Sequence, residues 1–172
     1  MIDPDDAVQP GASLGGDAAE HDVASAQPAR VLIVAHRTAA TPRLLAAVGE
    51  RARRGPCQFT LLVPKPYWDP DTEEAAMTLE LAIPLLERAA GARVEGIVGG
   101  SEEPLTAVRQ VLEHARFDEV IISTLPARVS RWLHRDLPRR VEQLGRPVTV
   151  ITAEQAQRAL GVSRGDERPE SR

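Results

Sequence analysis

Hydroxyl, imidazole and guanidinium groups gather in two stretches of the chain. The first is His36-Arg37-Thr38, directly after the apolar run Val31–Ala35. The second is Ser123-Thr124, directly after Val120–Ile122, continuing through Pro126, Arg128, Ser130, Arg131, Arg135 and Asp136. Hydroxyls and guanidinium groups donate hydrogen bonds to phosphate or carboxylate oxygens. His36 adds a group that changes charge near neutral pH, or else a solvated loop histidine. Between positions 123 and 147 the arginines Arg128, Arg131, Arg135, Arg139, Arg140 and Arg146 stand against only Asp136 and Glu142. This excess suits a phosphate, an acidic metabolite or an acidic partner. It also suits a solvated helix face whose arginine stems cover apolar surface, or pairing with the acidic N-terminal stretch.

Nothing in these residues argues for catalysis. Ser123, Thr124 and Ser130 have no histidine–carboxylate pair that can be assigned to activate them. Glu73, Glu74, Glu102 and Glu103 fall in the first turns of expected helices, where carboxylates favour the helix dipole. Cys57 is the one cysteine, so an internal disulfide is excluded. No second Cys or His lies at metal-ligand spacing from it. We therefore expect no enzyme, no catalytic residue, no metal site and no cofactor. Tyr67 and Trp68 follow the second strand as a stacking surface for a flat ligand or as a lid on the core. Trp132, with Val129 and Leu133 as helical neighbours, reads as core or dimer contact.

The elements that must position these groups alternate. The apolar runs Val31–Ala35, Phe59–Val63, Val94–Val98, Val120–Ile122 and Val148–Ile151 read as strands. Between them lie segments of helical spacing. The first carries Leu44, Leu45, Val48 and Ala52 after a Thr41-Pro42 start. The second opens at Asp71 with Glu74 three residues on, a capping-box signal, and presents Met77, Leu81 and Leu85, with a kink at Pro84. The third follows Ser101 with Leu105, Val108 and Leu112, and the fourth carries Val141 and Leu144. Strands alternating with helices predict right-handed βαβ units and a parallel sheet.

Strand texture predicts the order. Val31–Ala35 and Val120–Ile122 are apolar on consecutive residues, as strands buried on both faces are. The third and fifth strands carry polar or small interruptions, as edges do. The expected fold is α/β: a single open five-stranded parallel sheet in order 3-2-1-4-5 with helices on both faces. The crossovers reverse between strands 1 and 4, and ligands in such sheets sit there, outside the carboxyl ends. That places His36–Thr41 and Ser123–Asp136 at the cleft.

The domain is expected at residues 30–153. Residues 1–29 hold six carboxylates and no Lys or Arg, with no apolar periodicity, and read as a disordered acidic tail. Residues 154–172 read as a short helix over 154–160 and a second disordered tail. The remainder is only weakly basic, which does not predict nucleic-acid binding. There is no apolar run of about 18 residues to span a bilayer and no signal-like N-terminus, so the expectation is a soluble cytoplasmic protein.

From Asp118 to Thr152 the sequence resembles the C-terminal half of universal stress proteins. That family has a strand, then Gly-x-x-Gly-x(8 to 9)-Gly-Ser/Thr, a helix, and a closing strand entered by a Pro-Val turn. Here Val129-Ser130-Arg131-Trp132-Leu133, Arg140-Val141 and Arg146-Pro147-Val148-Thr149-Val150 fall in step with it. The family glycines admit phosphates to backbone N–H groups. In this chain Ser123, Pro126 and Arg135 replace them, and Asp136 stands at the Ser/Thr position. Pro126 has no N–H to donate. Asp136, as the expected N-cap of the next helix, would set its own carboxylate where an anion would bind. His36 takes the place where ATP-binding members often have an Asp near the adenine.

The resemblance therefore implies a regulatory or stress-response module, not binding ATP in the family mode, that dimerises and binds a partner or small anionic ligand. The alternative is a nucleotide- or anion-binding switch using the altered loop 123–136. A third reading, an enzyme of the wider adenine-nucleotide α-hydrolase class, would need a glycine-rich pyrophosphate loop after strand 1, which this chain lacks. The expected ligand residues are His36, Ser123, Thr124, Arg128, Ser130 and Asp136. The homodimer common in the family, joined along the fifth strand, would use Val148, Val150 and Thr152.

Overall fold

The computed structural model describes residues 27–65, 72–126 and 136–153. Five strands, β1 (Ala29–Val34), β2 (Cys57–Val63), β3 (Val94–Val98), β4 (Glu119–Thr124) and β5 (Val148–Thr152), form one parallel sheet in the order β3-β2-β1-β4-β5. The helices among the described residues are α1 (Pro42–Arg53), α2 (Glu73–Ala90), α3 (Pro104–His114) and α4 (Leu137–Glu142).

Alternation along the central strand divides the core into two layers. Val31 and Ile33 point to one face, where α1 supplies Leu44 and Val48 and α2 supplies Ala75, Ala82 and Leu86. Leu32 and Val34 point to the other, where α3 supplies Leu105 and Val108 and α4 supplies Leu137 and Val141. Both faces of β1 are thus dry, so four consecutive apolar residues are fully buried there. The edge strands differ as their composition demands: Glu95 and Gly96 of β3, and Thr149 and Val150 of β5, are exposed.

Local signals account for most of the boundaries. Thr41 is the N-cap of α1 and Pro42 its first residue, although the Thr41 hydroxyl makes no capping bond. Gly91 ends α2 in the left-handed region (φ 68), with its N–H donating to the Glu87 carbonyl at 2.8 Å.

Several expectations need correction. β1 starts two residues before the expected run, at Ala29, and β2 likewise, at Cys57. The N-cap of α2 is Thr72 (φ 65), without a side-chain cap bond, and Asp71 lies outside the described residues. The helix continues through Pro84, which is exposed. Met77, Leu81 and Leu85 do not face the core: the opposite, smaller stripe of Ala75, Ala82 and Leu86 is the buried one. Leu79 and Ile83, partly buried, pack against the same core cluster. Glu103 is the N-cap of α3, and Glu102 precedes it, so neither lies in its first turn.

Candidate functional site

The crossovers reverse where β1 and β4 lie side by side, in register from Val31 opposite Glu119 to Val34 opposite Ile122. Beyond β1 the chain turns through His36–Thr41, with the Ala39 N–H donating to the His36 carbonyl (3.0 Å) and the Thr41 N–H to the Thr38 carbonyl (3.2 Å). The turn brings Thr38 against the end of β4. The Thr38 hydroxyl donates to the Ser123 carbonyl at 2.9 Å, and the Ser123 hydroxyl to the Thr38 carbonyl at 3.4 Å. The Thr41 hydroxyl also donates to the Thr38 carbonyl, at 3.0 Å. Thr38 and Ser123 are both buried.

His36 is buried at the base of the same turn, its Nε2 3.5 Å from Glu74 Oε1 in the first turn of α2. This links the end of β1 to the start of α2. Glu74 is therefore more than a helix-dipole carboxylate. Next to Ser123, Thr124 is buried and its hydroxyl donates to the Leu125 carbonyl at 3.2 Å. The Thr124 carbonyl accepts from Ala153 N–H at 2.8 Å, and Arg43 of α1 donates to the Thr152 carbonyl at 3.3 Å, closing the β5 side.

The structure thus brings His36, Ser123 and Thr124 to the carboxyl ends of β1 and β4. Arg128 and Ser130 lie outside the described residues, as do Arg131, Trp132, Arg135, Tyr67 and Trp68. Asp136 is the N-cap of α4, as expected, but not with the expected geometry. Its backbone is left-handed (φ 53), and its carboxylate makes no cap bond, standing exposed 3.9 Å from the Arg139 guanidinium. The positive φ turns the side chain away from the helix end that it was expected to occupy. Arg140 pairs with Glu103 at 3.4 Å, tying α4 to the start of α3. Two of the clustered arginines thus have carboxylate neighbours within the domain.

Sequence reasoning placed Thr38 and Thr41 in the cleft loop without naming them among the ligand residues, and it did not bring Glu74 and Arg43 to this cleft. For Thr38 there was a usable signal: a hydroxyl two residues past His36, in a loop already placed at the cleft. Among the described residues, no group of three or more His, Cys, Asp or Glu is placed to hold a metal ion.

Solved structures resemble this one, two of them universal stress proteins. A universal stress protein from Archaeoglobus fulgidus superposes with a TM-score of 0.55 at 18% identity, covering 72% of this chain and 93% of that one. The universal stress protein from the same organism in complex with dAMP gives 0.52 at 20% identity, with 74% and 98% covered. No protein-family model and no curated protein matches the chain. Among the described residues no helix is long and apolar enough to cross a membrane. The strand order and these superpositions agree that the chain has the universal stress protein fold.

Proposed function

We propose that this chain is a non-catalytic regulatory module of the universal stress type, working in the cytoplasm through dimerisation and through a partner or small ligand, without holding ATP in the family mode. The mutual bonding of Thr38 and Ser123 carries this reading. At the ligand end of the sheet both hydroxyls are engaged by main-chain carbonyls, and Pro126, at a second family glycine position, offers no N–H. A triphosphate entering there finds few donors and must break buried hydrogen bonds to gain them. Native mass spectrometry of freshly purified protein tests the reading. A mass without bound nucleotide is expected, and co-purified ATP overturns it.

The dimer is proposed along β5. This strand is an edge, carries no charge and no internal proline, and exposes Val150 to 40%. Unprotected edges pair with another strand, and a two-fold axis satisfies both copies at once through Val148, Val150 and Thr152. Light scattering should give a dimer at tens of micromolar and a folded monomer for Val150→Pro, which lacks a ladder N–H. A monomeric wild type contradicts the proposal.

A second reading has one observation in its favour: a structure of this fold is a complex with dAMP. In that reading the altered loop 123–136 takes a nucleotide or a related anion. Saturable binding of dAMP, weakened by Arg128→Ala, would favour it over the first.

A further inference from the structure

The outer face of α2 is apolar where solvent should meet it. Met77, Leu81 and Leu85, spaced four residues apart, are 60%, 67% and 37% exposed, and Pro84 beside them is exposed too. The side of α2 that packs on the sheet and α1 is already supplied by Ala75, Ala82 and Leu86, with Leu79 and Ile83 partly buried beside them. The outer stripe therefore contributes nothing to the core, and a contiguous exposed stripe of large apolar side chains marks a contact surface.

The charges on the helix say which partner fits. Glu73 and Glu74 stand in its first turn and Arg88 in its last. Laid antiparallel on a second α2 about a two-fold axis at Leu81, the stripe meets itself. Leu81 faces Leu81 of the second copy, and Met77 faces its Leu85. The acidic first turn then lies against the other copy's Arg88; Glu74, whose side chain stays 41% exposed beside His36, and Arg88 are equally far from the axis. A parallel pairing would instead set carboxylates on carboxylates. Self-complementarity about a single axis is what an isologous interface requires.

We infer that the outer face of α2 is a self-association surface that binds a second copy of this chain, antiparallel, through Met77, Leu81 and Leu85. It is separate from the β5 edge, which lies at the other end of the sheet order from β3, the strand that α2 packs against. With both two-fold contacts made, the chain assembles beyond a dimer. A single helix face offers less than the roughly 800 Å² per partner of a standard stable interface, so the contact is weak and is best read by cross-linking.

The experiment uses the full chain with Cys57→Ser, oxidised by copper–phenanthroline and dissolved oxygen. Leu81→Cys should form a disulfide-linked dimer at least about tenfold faster than Glu113→Cys, an exposed position on α3. Met77→Cys and Leu85→Cys lie about 12 Å apart along the helix. Mixed, they should link at least about tenfold faster than either does alone, and high salt should slow the reaction. The inference is overturned if Leu81→Cys links no faster than Glu113→Cys, or if Met77→Cys links to itself as fast as to Leu85→Cys. It is equally overturned if the thiol introduced by Leu81→Cys is protected from a small thiol reagent in dilute protein, since the stripe is then covered by another part of its own chain.

Discussion

Thr38 and Ser123, 85 residues apart in sequence, hold each other by reciprocal hydroxyl-to-carbonyl hydrogen bonds of 2.9 and 3.4 Å at the carboxyl ends of β1 and β4. The pair closes the fold where a ligand of this architecture sits. Thr38→Val keeps the shape but removes the shorter bond and leaves the buried Ser123 carbonyl without that donor. The expected loss is about 1–2 kcal/mol. It should appear in urea as a midpoint lowered by roughly 0.5–1 M with an unchanged slope.

Two glycines separate tolerable from intolerable crowding. A Cβ on Gly99 meets the Ala107 Cβ at 3.0 Å and the Pro64 Cα at 3.1 Å, atoms that cannot turn away. A Cβ on Gly96 meets the Ile83 Cδ1 at 2.7 Å and the Leu79 Cδ2 at 3.1 Å, the ends of side chains that can rotate. Gly99→Ala should destabilise by about 1–3 kcal/mol and Gly96→Ala by less than about 1 kcal/mol. Equilibrium unfolding of both variants checks the order.

At the amino end of the sheet, Arg51 in the last turn of α1 forms an ion pair with Glu119, the first residue of β4. Both side chains are largely buried, so the pair is shielded from salt better than a surface one. Arg51→Ala alone should cost about 1–3 kcal/mol, because Glu119 is left poorly solvated. A double-mutant cycle with Glu119→Ala should return a favourable coupling of at least about 0.5 kcal/mol.

Burial raises the Cys57 thiol above its ordinary value of 9.0; Arg51 pulls it down and Glu119 pushes it up. Alkylation by iodoacetamide should therefore rise with a midpoint above pH 9.0. The raised folded value means that the unfolded chain loses this proton first. Stability from this group is complete below about pH 9 and declines as pH climbs from the unfolded toward the folded value. Cys57→Ser should remove that part of the decline.

Much of this was legible in the sequence, and the reasons are physical. Val31–Val34 and Val120–Ile122 are apolar on consecutive residues because both faces of a central strand are covered. Glu95-Gly96 and Thr149 interrupt the strands that prove to be edges. The orientation of α2 was not legible, because two of its stripes are apolar and periodicity alone does not say which one packs. The Thr38–Ser123 pair was hidden for another reason: the expected strand order sets the two loops side by side, but which hydroxyl meets which carbonyl depends on the backbone turn through His36–Thr41. Asp136 was found as an N-cap, but its positive φ and its turn toward Arg139 depend on a backbone conformation that residue type alone does not set.

The central claim is that the cleft between β1 and β4 does not hold ATP in the family mode, and calorimetric titration of the 172-residue chain with MgATP tests it most directly. The account predicts no binding heat in the micromolar range, for wild type and for Thr38→Val alike. Micromolar binding of MgATP that is abolished by replacing Ser123 or Thr124 would contradict it.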